Sequence, residues 1–399
     1  MHTKIYETPN YIMVGEEGSF AHHTLRNRFP EIIERLINPL PAGGEEHKAL
    51  VSLLKEIPQG RILDPFKEGL VGEEEFHRDE LLDWKREIQV WAGSRWIDLP
   101  FYFAEAYLYL RILIARGYYR EDSPFYRKDP FAPQKEEELQ RVLEDASWKG
   151  TLERARDPYR ALLLMLKGNR MDLSNTTIAH HGRKRLHHEE PEDLLINHLE
   201  SLAEKVDRSR RIDIVLDNAG AELICDLHFA WVVLSRGDRK IVLHVKSVPF
   251  FVSDATRQDV EETIERVLGS ETFGSWGKNL KRFLDLGRLE VRDHYFWNGP
   301  CHCSSLPKEL KEEFAKSDLV IFKGDANYRR LLEDRKWPFP TLLERILSWF
   351  PTSLAALRTL KSEILVGIPE EKAVRMFEED PSWLINGKWG IVQVLEHKK

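Results

Sequence analysis

The sequence predicts an α/β protein in which a mostly parallel sheet flanked by helices follows an all-helical amino-terminal domain. Three observations carry this. Up to about residue 168, apolar residues recur at helical spacing and no strand pattern occurs. From Arg211 onward, short β-branched runs alternate with helical segments, which implies right-handed crossovers and parallel pairing. Three of those runs break on Asp, at Asp217, Asp254 and Asp325, where buried parallel strands deliver side chains to the carboxyl edge of a sheet. The chain divides accordingly into residues 1–168, helical, and residues 169–399, α/β.

Along the chain, Ser19 is placed to cap a helix in FAHHTLRNRFPEIIERLI, with Pro30 ending one helix and opening another. Residues 45–57 and 73–93 show amphipathic spacing. WIDLPFYFAEAYLYLRILIARG (96–117) is apolar nearly all round, so it reads as a buried central helix ending at Gly117. EEELQRVLEDASWKGTLE and YRALLLMLKGN continue in that style. TIAHHGRKRLHHEEP (177–191) is polar and aperiodic, a loop whose four histidines have no matching second cluster and read as solvated. IDIVLD is then a strand, AELICDLHFAWVVLSRG a helix stopped at Gly237, KIVLHVK a strand and TRQDVEETIERVLG a helix. LEVRDHYFW, DLVIFKG, SEILVGI and GIVQVLEH complete the strand candidates.

Composition bounds the function. With 399 residues the chain can build a large core or two domains sharing a cleft. A formal net charge of −7 argues against general nucleic-acid binding, which needs clustered Lys and Arg. Three cysteines, an odd number, argue against a disulfide framework and for a reducing compartment. The first residues lack the apolar core of a signal peptide, and no apolar run approaches the ~20 residues that span a bilayer. The expectation is a cytoplasmic protein with no membrane partner.

The three acidic turns are IDIVLDNAGAE (212–222), PFFVSDAT (249–256) and LVIFKGDANYRR (319–330). Asp217, Asn218, Asp254 and Asp325 could meet at one sheet edge. Asn218 offers a neutral oxygen beside two carboxylates, which leaves a Mg²⁺- or Mn²⁺-like ion with residual charge to polarise a phosphoryl oxygen. Gly220 permits a tight turn, and Gly324 lets the backbone approach a ligand while Lys323 offers a point charge to a phosphate. Each turn also has a plainer account: Asp254 precedes a helix and could serve as its cap, and a lysine in a turn is commonly solvated. Asn169 and Asp172 of GNRMDLSN (168–175) are either ligand-facing groups or a capped turn. Arg358-Thr359-Leu360-Lys361 could bind an anion or coat a helix face. Cys301-His302-Cys303 is too closely spaced for a zinc knuckle, and Cys225 sits on an apolar helix face as core. Neither a dinucleotide-binding GxGxxG after the first strand nor a GxxxxGK[ST] loop is present.

In order along the chain stand GN-x-x-DLS (168–174), DN-x-G-x-E (217–222), FFVSD (250–254), FKGD-x-NYR (322–329) and RTLK (358–361). This set resembles the metal-dependent damage-control phosphatase family, also described as acidic-residue methyltransferase-like; RTLK marks its third subfamily. GSFAHHTLRNRFPEII and AEAYLYLR look like that subfamily too, so the resemblance covers about residues 17 to 390. It implies a helical domain beside a Rossmann-like α/β domain. It implies Asp217, Asn218 and Asp254 as metal ligands, Asp325, Ala326, Asn327, Tyr328 and Arg329 as the substrate-binding segment, and Lys361 as a substrate contact. Glu222 matches a position assigned to S-adenosylmethionine in the methyltransferase description. The implied activity is hydrolysis of small phosphorylated metabolites, fructose 1-phosphate and fructose 6-phosphate among them, with Mn²⁺, Co²⁺, Ni²⁺ or Mg²⁺. The chain departs from the family at Ala221, where relatives have an aromatic, and at Ala326, where relatives have Leu. Both changes bear on pocket size.

Phosphomonoester hydrolysis is the leading expectation, with Asp217, Asn218, Asp254 and Asp325 as the catalytic group and Lys323 and Lys361 on the phosphate oxygens. The nucleophile is either water or a carboxylate such as Asp217. S-adenosylmethionine-dependent methylation of a protein glutamate is a second reading, weakened by the missing glycine-rich loop. A non-catalytic sugar-phosphate-binding protein is a third.

Overall fold

The structure, a computed structural model, describes residues 8–57, 59–169 and 193–397. The histidine-rich loop and Asp172 lie outside the described residues.

Ser19 does cap the first helix: its hydroxyl accepts from the His22 amide at 3.0 Å. The break expected at Pro30 does not occur. Helix α1 (Phe20–His23) runs through a π-helical stretch, Thr24–Arg28, into α2 (Phe29–Ile37), and the Phe29 amide bonds back to Thr24 O. Pro30 falls in the first turn of α2, where a missing N–H is tolerated. Next come α3 (Glu45–Glu56) and α4 (Arg78–Trp91). The expected central helix is α5 (Phe101–Ala115), buried along its length and ended at Gly117, whose φ is +74°. The following segment splits into α6 (Ala132–Glu144) and α7 (Ser147–Arg154), and α8 (Pro158–Gly168) opens on the cap of Asp157.

Seven strands form one sheet: β1 (Leu194–Asn197), β2 (Arg211–Val215), β3 (Lys240–Val245), β4 (Leu289–Asp293), β5 (Leu319–Lys323), β6 (Leu354–Thr359) and β7 (Gly390–Leu395), in the order β1-β7-β6-β5-β2-β3-β4. Every pairing is parallel except β6 with β7. Helices connect them: α9 (Leu199–Arg208), α10 (Ala221–Leu234), α11 (Arg257–Gly269), α12 (Gly274–Asp285), α13 (Lys308–Phe314), α14 (Gly324–Leu331), α15 (Leu343–Ile346) and α16 (Glu370–Glu379). The α/β class with a mostly parallel sheet is therefore as expected.

Two strands are not where the sequence reading placed them. SEILVGI is no strand; LAALRT just before it is β6, and the short LLIN forms an unexpected β1. Arg358, at the end of β6, explains the first: its guanidinium bonds Ser362 O at 3.1 Å and Ile364 O, which folds residues 362–364 back over the strand end. Ile364, Leu365 and Val366 are still buried, but as a loop.

Side chains alternate across the sheet, as the two-residue period of a strand requires. Val320, Phe322, Leu354 and Ala356 join the core that contains α2 and α5, through Phe29 and Tyr107. Leu319, Ile321, Ala355 and Leu357 join the opposite core, with α8, α9 and α10 through Leu162, Leu202 and Leu223. Burying both faces accounts for the near-continuous apolar runs of β2, β3 and β5.

Candidate active site

From β2 the chain proceeds outward to β3 and β4, whereas β5 returns to the other side of β2 and leads to β6. The crevice beyond the carboxyl ends of β2 and β5 is thus the point where strand order reverses, the usual ligand site of open α/β sheets. Asp217 follows β2 and Asp325 follows β5, so both acids stand at that crevice.

The first two turns are tied by backbone. Asn218 and Asp254 pair in an antiparallel bridge, Ala219 N–H bonds Ser253 O at 2.7 Å, and Ala255 N–H bonds Asp217 O at 2.8 Å. Side chains then set the orientation. Asp217 Oδ2 accepts from Asn169 Nδ2 at 2.9 Å and Asn218 Nδ2 at 3.0 Å. Asn218 Nδ2 also donates to Glu222 Oε2 at 2.8 Å, while Ser253 Oγ donates to Asn218 Oδ1 at 2.6 Å. This settles which end of the amide faces which partner. Asp254 Oδ2 lies 2.8 Å from the buried Lys246 ammonium. Capping of α11 falls to Thr256 instead, so the plainer account of Asp254 does not hold.

The third turn separates into contact and support. Asp325 is partly open to the crevice, and its Oδ1 accepts from Arg358 Nε at 2.7 Å, Lys361 N at 3.1 Å and Ser362 Oγ at 3.1 Å. Burial alone would raise its pKa; the guanidinium groups of Arg358 and Arg329 outweigh that and hold the carboxyl below its usual value. Lys323 is fully buried and its ammonium donates to Asp226 Oδ1 at 2.7 Å, Glu222 Oε1 at 2.8 Å and Met165 O at 3.0 Å. Three hydrogens have three acceptors, so the expected phosphate contact by Lys323 gives way to a supporting one. Glu222 is 2% exposed and receives Asn169, Asn218 and Lys323. Asn327 donates to Leu216 O at 3.0 Å and Lys323 O at 2.8 Å, pinning β2 to α14. Tyr328 donates to Gln393 Oε1 at 3.1 Å, inside the core.

One cavity of about 60 Å³ collects the rest: Asp217, Asn218, Asp254, Asp325, Ala326, Arg329 and Lys361 all line it. Arg329 reaches it already committed, forked on Asp334 at 2.8 Å through both Nε and Nη2 and bonded to Glu105. Lys361 Nζ donates to Asn169 O at 2.7 Å. Glu222, Lys323, Asn327 and Tyr328 are not among the lining residues; they stand behind them. The sequence reading missed Ser253, Lys246, Glu105, Arg28 and Phe20. Ser253 lies within FFVSD and Lys246 ends the KIVLHVK strand, whereas Phe20, Arg28 and Glu105 lie in GSFAHHTLRNRFPEII and AEAYLYLR of the helical half, segments that resemble the family but carry no local signal of a site role.

A family model described as the damage-control phosphatase ARMT1-like domain matches residues 24–376. The chain belongs to that family. The damage-control phosphatase ARMT1 of Mus musculus is 32% identical, covering 97% of this chain and 98% of the relative. The enzyme of that name from Homo sapiens is 30% identical over 94% of this chain and 96% of its own. A crystal structure of a DUF89 family protein from Pyrococcus horikoshii shares the fold, with a TM-score of 0.50 at 14% identity, covering 93% of this chain and 97% of that one. The chain is accordingly a phosphatase of the metabolite damage-control class, and a divalent metal in general accompanies the family's activity.

The residues fit such an ion. Asp217, Asn218 and Asp254 supply two carboxylates and an amide oxygen to one cavity, an all-oxygen set suited to a hard cation. Among the described residues, no group of three or more His, Cys, Asp or Glu side chains is placed to hold a metal ion by itself. No helix among the described residues is long and apolar enough to cross a membrane.

Proposed function

We propose that this phosphatase hydrolyses small sugar phosphates, fructose 1-phosphate and fructose 6-phosphate among them, with Asp217, Asn218 and Asp254 holding Mn²⁺, Co²⁺, Ni²⁺ or Mg²⁺. The observation that carries this reading is the convergence of Asp217, Asn218, Asp254, Asp325 and Lys361 on one small cavity at the reversal of strand order. When bound, the ion supplies Lewis-acid stabilisation of phosphoryl charge. Lys361 adds a second positive charge beside the same oxygens. Asp325, held below the usual carboxylate range, is ionised at neutral pH and serves as an acceptor that orients a sugar hydroxyl or the attacking water. Ala326 and Arg329 shape the wall that meets the sugar. Asn169 and Ser253 hold Asp217 and Asn218 in place, and Glu222, Lys323, Asn327 and Tyr328 fix the frame behind them.

We read the chain as two parts, residues 1–168 helical and 169–399 α/β, with Phe20, Arg28 and Glu105 of the first lining the cavity beside the acids of the second. We read the enzyme as cytoplasmic, with no nucleic-acid or membrane partner; its three cysteines are all unpaired and buried, and its net charge is −7.

The test measures phosphate release from a panel of sugar phosphates with each metal in turn, for the native chain and Asp254→Asn. The variant is expected to lose at least about 100-fold in rate and to lose the rise in melting temperature that added Mn²⁺ gives the native protein. Near-native turnover by Asp254→Asn would refute the assignment. Calorimetric binding of S-adenosylmethionine would favour methyl transfer instead.

A further inference from the structure

We infer that Arg28, a residue of the helical half, binds the phosphate of the substrate in the proposed reaction. This rests on the sugar-phosphate reading and adds to it a contact outside the metal-binding turns.

The charges in the cavity single it out. Asp217, Asp254, Asp325 and Glu105 line it with Arg28, Arg329 and Lys361. Arg329 is neutralised by Asp334 and Glu105, and outside the cavity Arg358 is held by Asp325 and Lys323 by Glu222 and Asp226. The Arg28 side chain forms no hydrogen bond or ion pair among the described residues, and its Nε is buried without a partner. A guanidinium with a buried, unpaired N–H calls for an acceptor, because an unmade bond costs more than a made one returns. Four carboxylates in the lining make a second anion unwelcome unless a cation meets it. A phosphate monoester carries about −1.5 to −2 charges at neutral pH and three strong acceptor oxygens. The planar fork of an arginine matches two of those oxygens at once.

Backbone geometry brings Arg28 there. In an unbroken α-helix, residues eight apart lie about 80° apart around the axis. The π-helical stretch Thr24–Arg28 inserts an extra residue in the turn between Phe20 and Arg28, which cancels most of that angle. Both side chains therefore line the cavity. Single π-type turns of this kind occur preferentially at functional sites.

The experiment compares native protein, Arg28→Met and Arg28→Lys. The readouts are steady-state turnover of a sugar phosphate, inhibition by inorganic phosphate, and the melting shift given by Mn²⁺ alone and by inorganic phosphate with Mn²⁺. Arg28→Met is expected to raise KM and the phosphate inhibition constant together by about 10- to 100-fold, with a smaller fall in kcat. Its Mn²⁺ shift should stay native while its phosphate shift disappears. Arg28→Lys should recover part of both losses, since it restores charge without the fork. Unchanged KM and an unchanged phosphate shift in Arg28→Met would overturn the inference. Absence of turnover in the native protein would overturn the sugar-phosphate reading instead, and the phosphate shift would still decide the fate of Arg28. Should Arg28→Met not fold, Arg28→Lys alone decides: KM and phosphate shift equal to native would sink the proposal.

Discussion

At Gly324 the backbone φ is +81°, and a Cβ built there would stand 1.8 Å from Asp217 Oδ2. An L-residue with a side chain meets two obstacles at once: the left-handed conformation costs roughly 1–2 kcal/mol, and the methyl displaces a site carboxylate. Gly324→Ala is expected to destabilise the protein by about 2 kcal/mol or more and to cut metal-stimulated phosphate release at least about 100-fold, read by urea titration and by phosphate assay. A variant with both near native would show that Asp217 has room to move. At this scale the motif residues were legible, but their roles were not. Asp217 and Asp325 stand in one cavity as expected, yet Lys323, adjacent in sequence to Gly324, points the opposite way into the core. A strand alternates its side chains between faces, and the sequence alone does not say which face is open.

At the scale of elements, Lys323 ties the end of β5 to α8 and α10 through Met165 O, Glu222 and Asp226. Burial pushes Asp226 up to about 7 against the pull of the Lys323 ammonium, and two carboxylates hold that ammonium above its usual range despite burial. Removing the cation strands two acids in the interior. Lys323→Met is expected to cost about 3–5 kcal/mol in urea unfolding, and adding Asp226→Asn should return part of it. A loss under about 1 kcal/mol for the single variant would mean that water reaches the pair. The strands β2, β3 and β5 could be read from their β-branched runs because both faces are buried. LAALRT could not: Leu and Ala favour helices by themselves, and it is the pairing of β6 with β5 and β7 that makes it a strand. SEILVGI has a strand's composition, but Arg358 takes its carbonyls out of any ladder.

At the scale of the whole molecule, two histidines outside the candidate site lower stability in acid, against the opposite contribution of Asp226 and Glu80, whose carboxyls burial pushes up to about 7. Burial pushes His228 from 6.5 down to about 4, and does the same to His302. A base whose folded pKa is depressed leaves stability intact above the unfolded value and lowers it as pH falls from 6.5 toward 4, because the unfolded chain then binds more protons. Each histidine is expected to cost about 2 kcal/mol between pH 7 and pH 5. Urea unfolding of native protein and His228→Gln at both pH values checks this: the variant should show the smaller drop, and an equal drop would place the acid response elsewhere. His228 keeps its ring through a 2.8 Å bond with Ala155 O, and His302 lies against the rings of Tyr11 and Tyr102, so both are core groups rather than ligands.

The sequence by itself determined the α/β class, the mostly parallel sheet and the acids that end its strands, because buried strands leave continuous apolar runs and their carboxyl ends share one edge. The ordered motifs determined the family, and with it phosphatase activity. Tertiary structure decided the rest. It set which strands lie next to each other, and so where the crevice opens. It turned Lys323, Glu222, Asn327 and Tyr328 inward as support. It also brought Phe20, Arg28 and Glu105 from the helical half onto the acids of the other. Those choices depend on packing between residues hundreds of positions apart, a distance over which local spacing carries no signal.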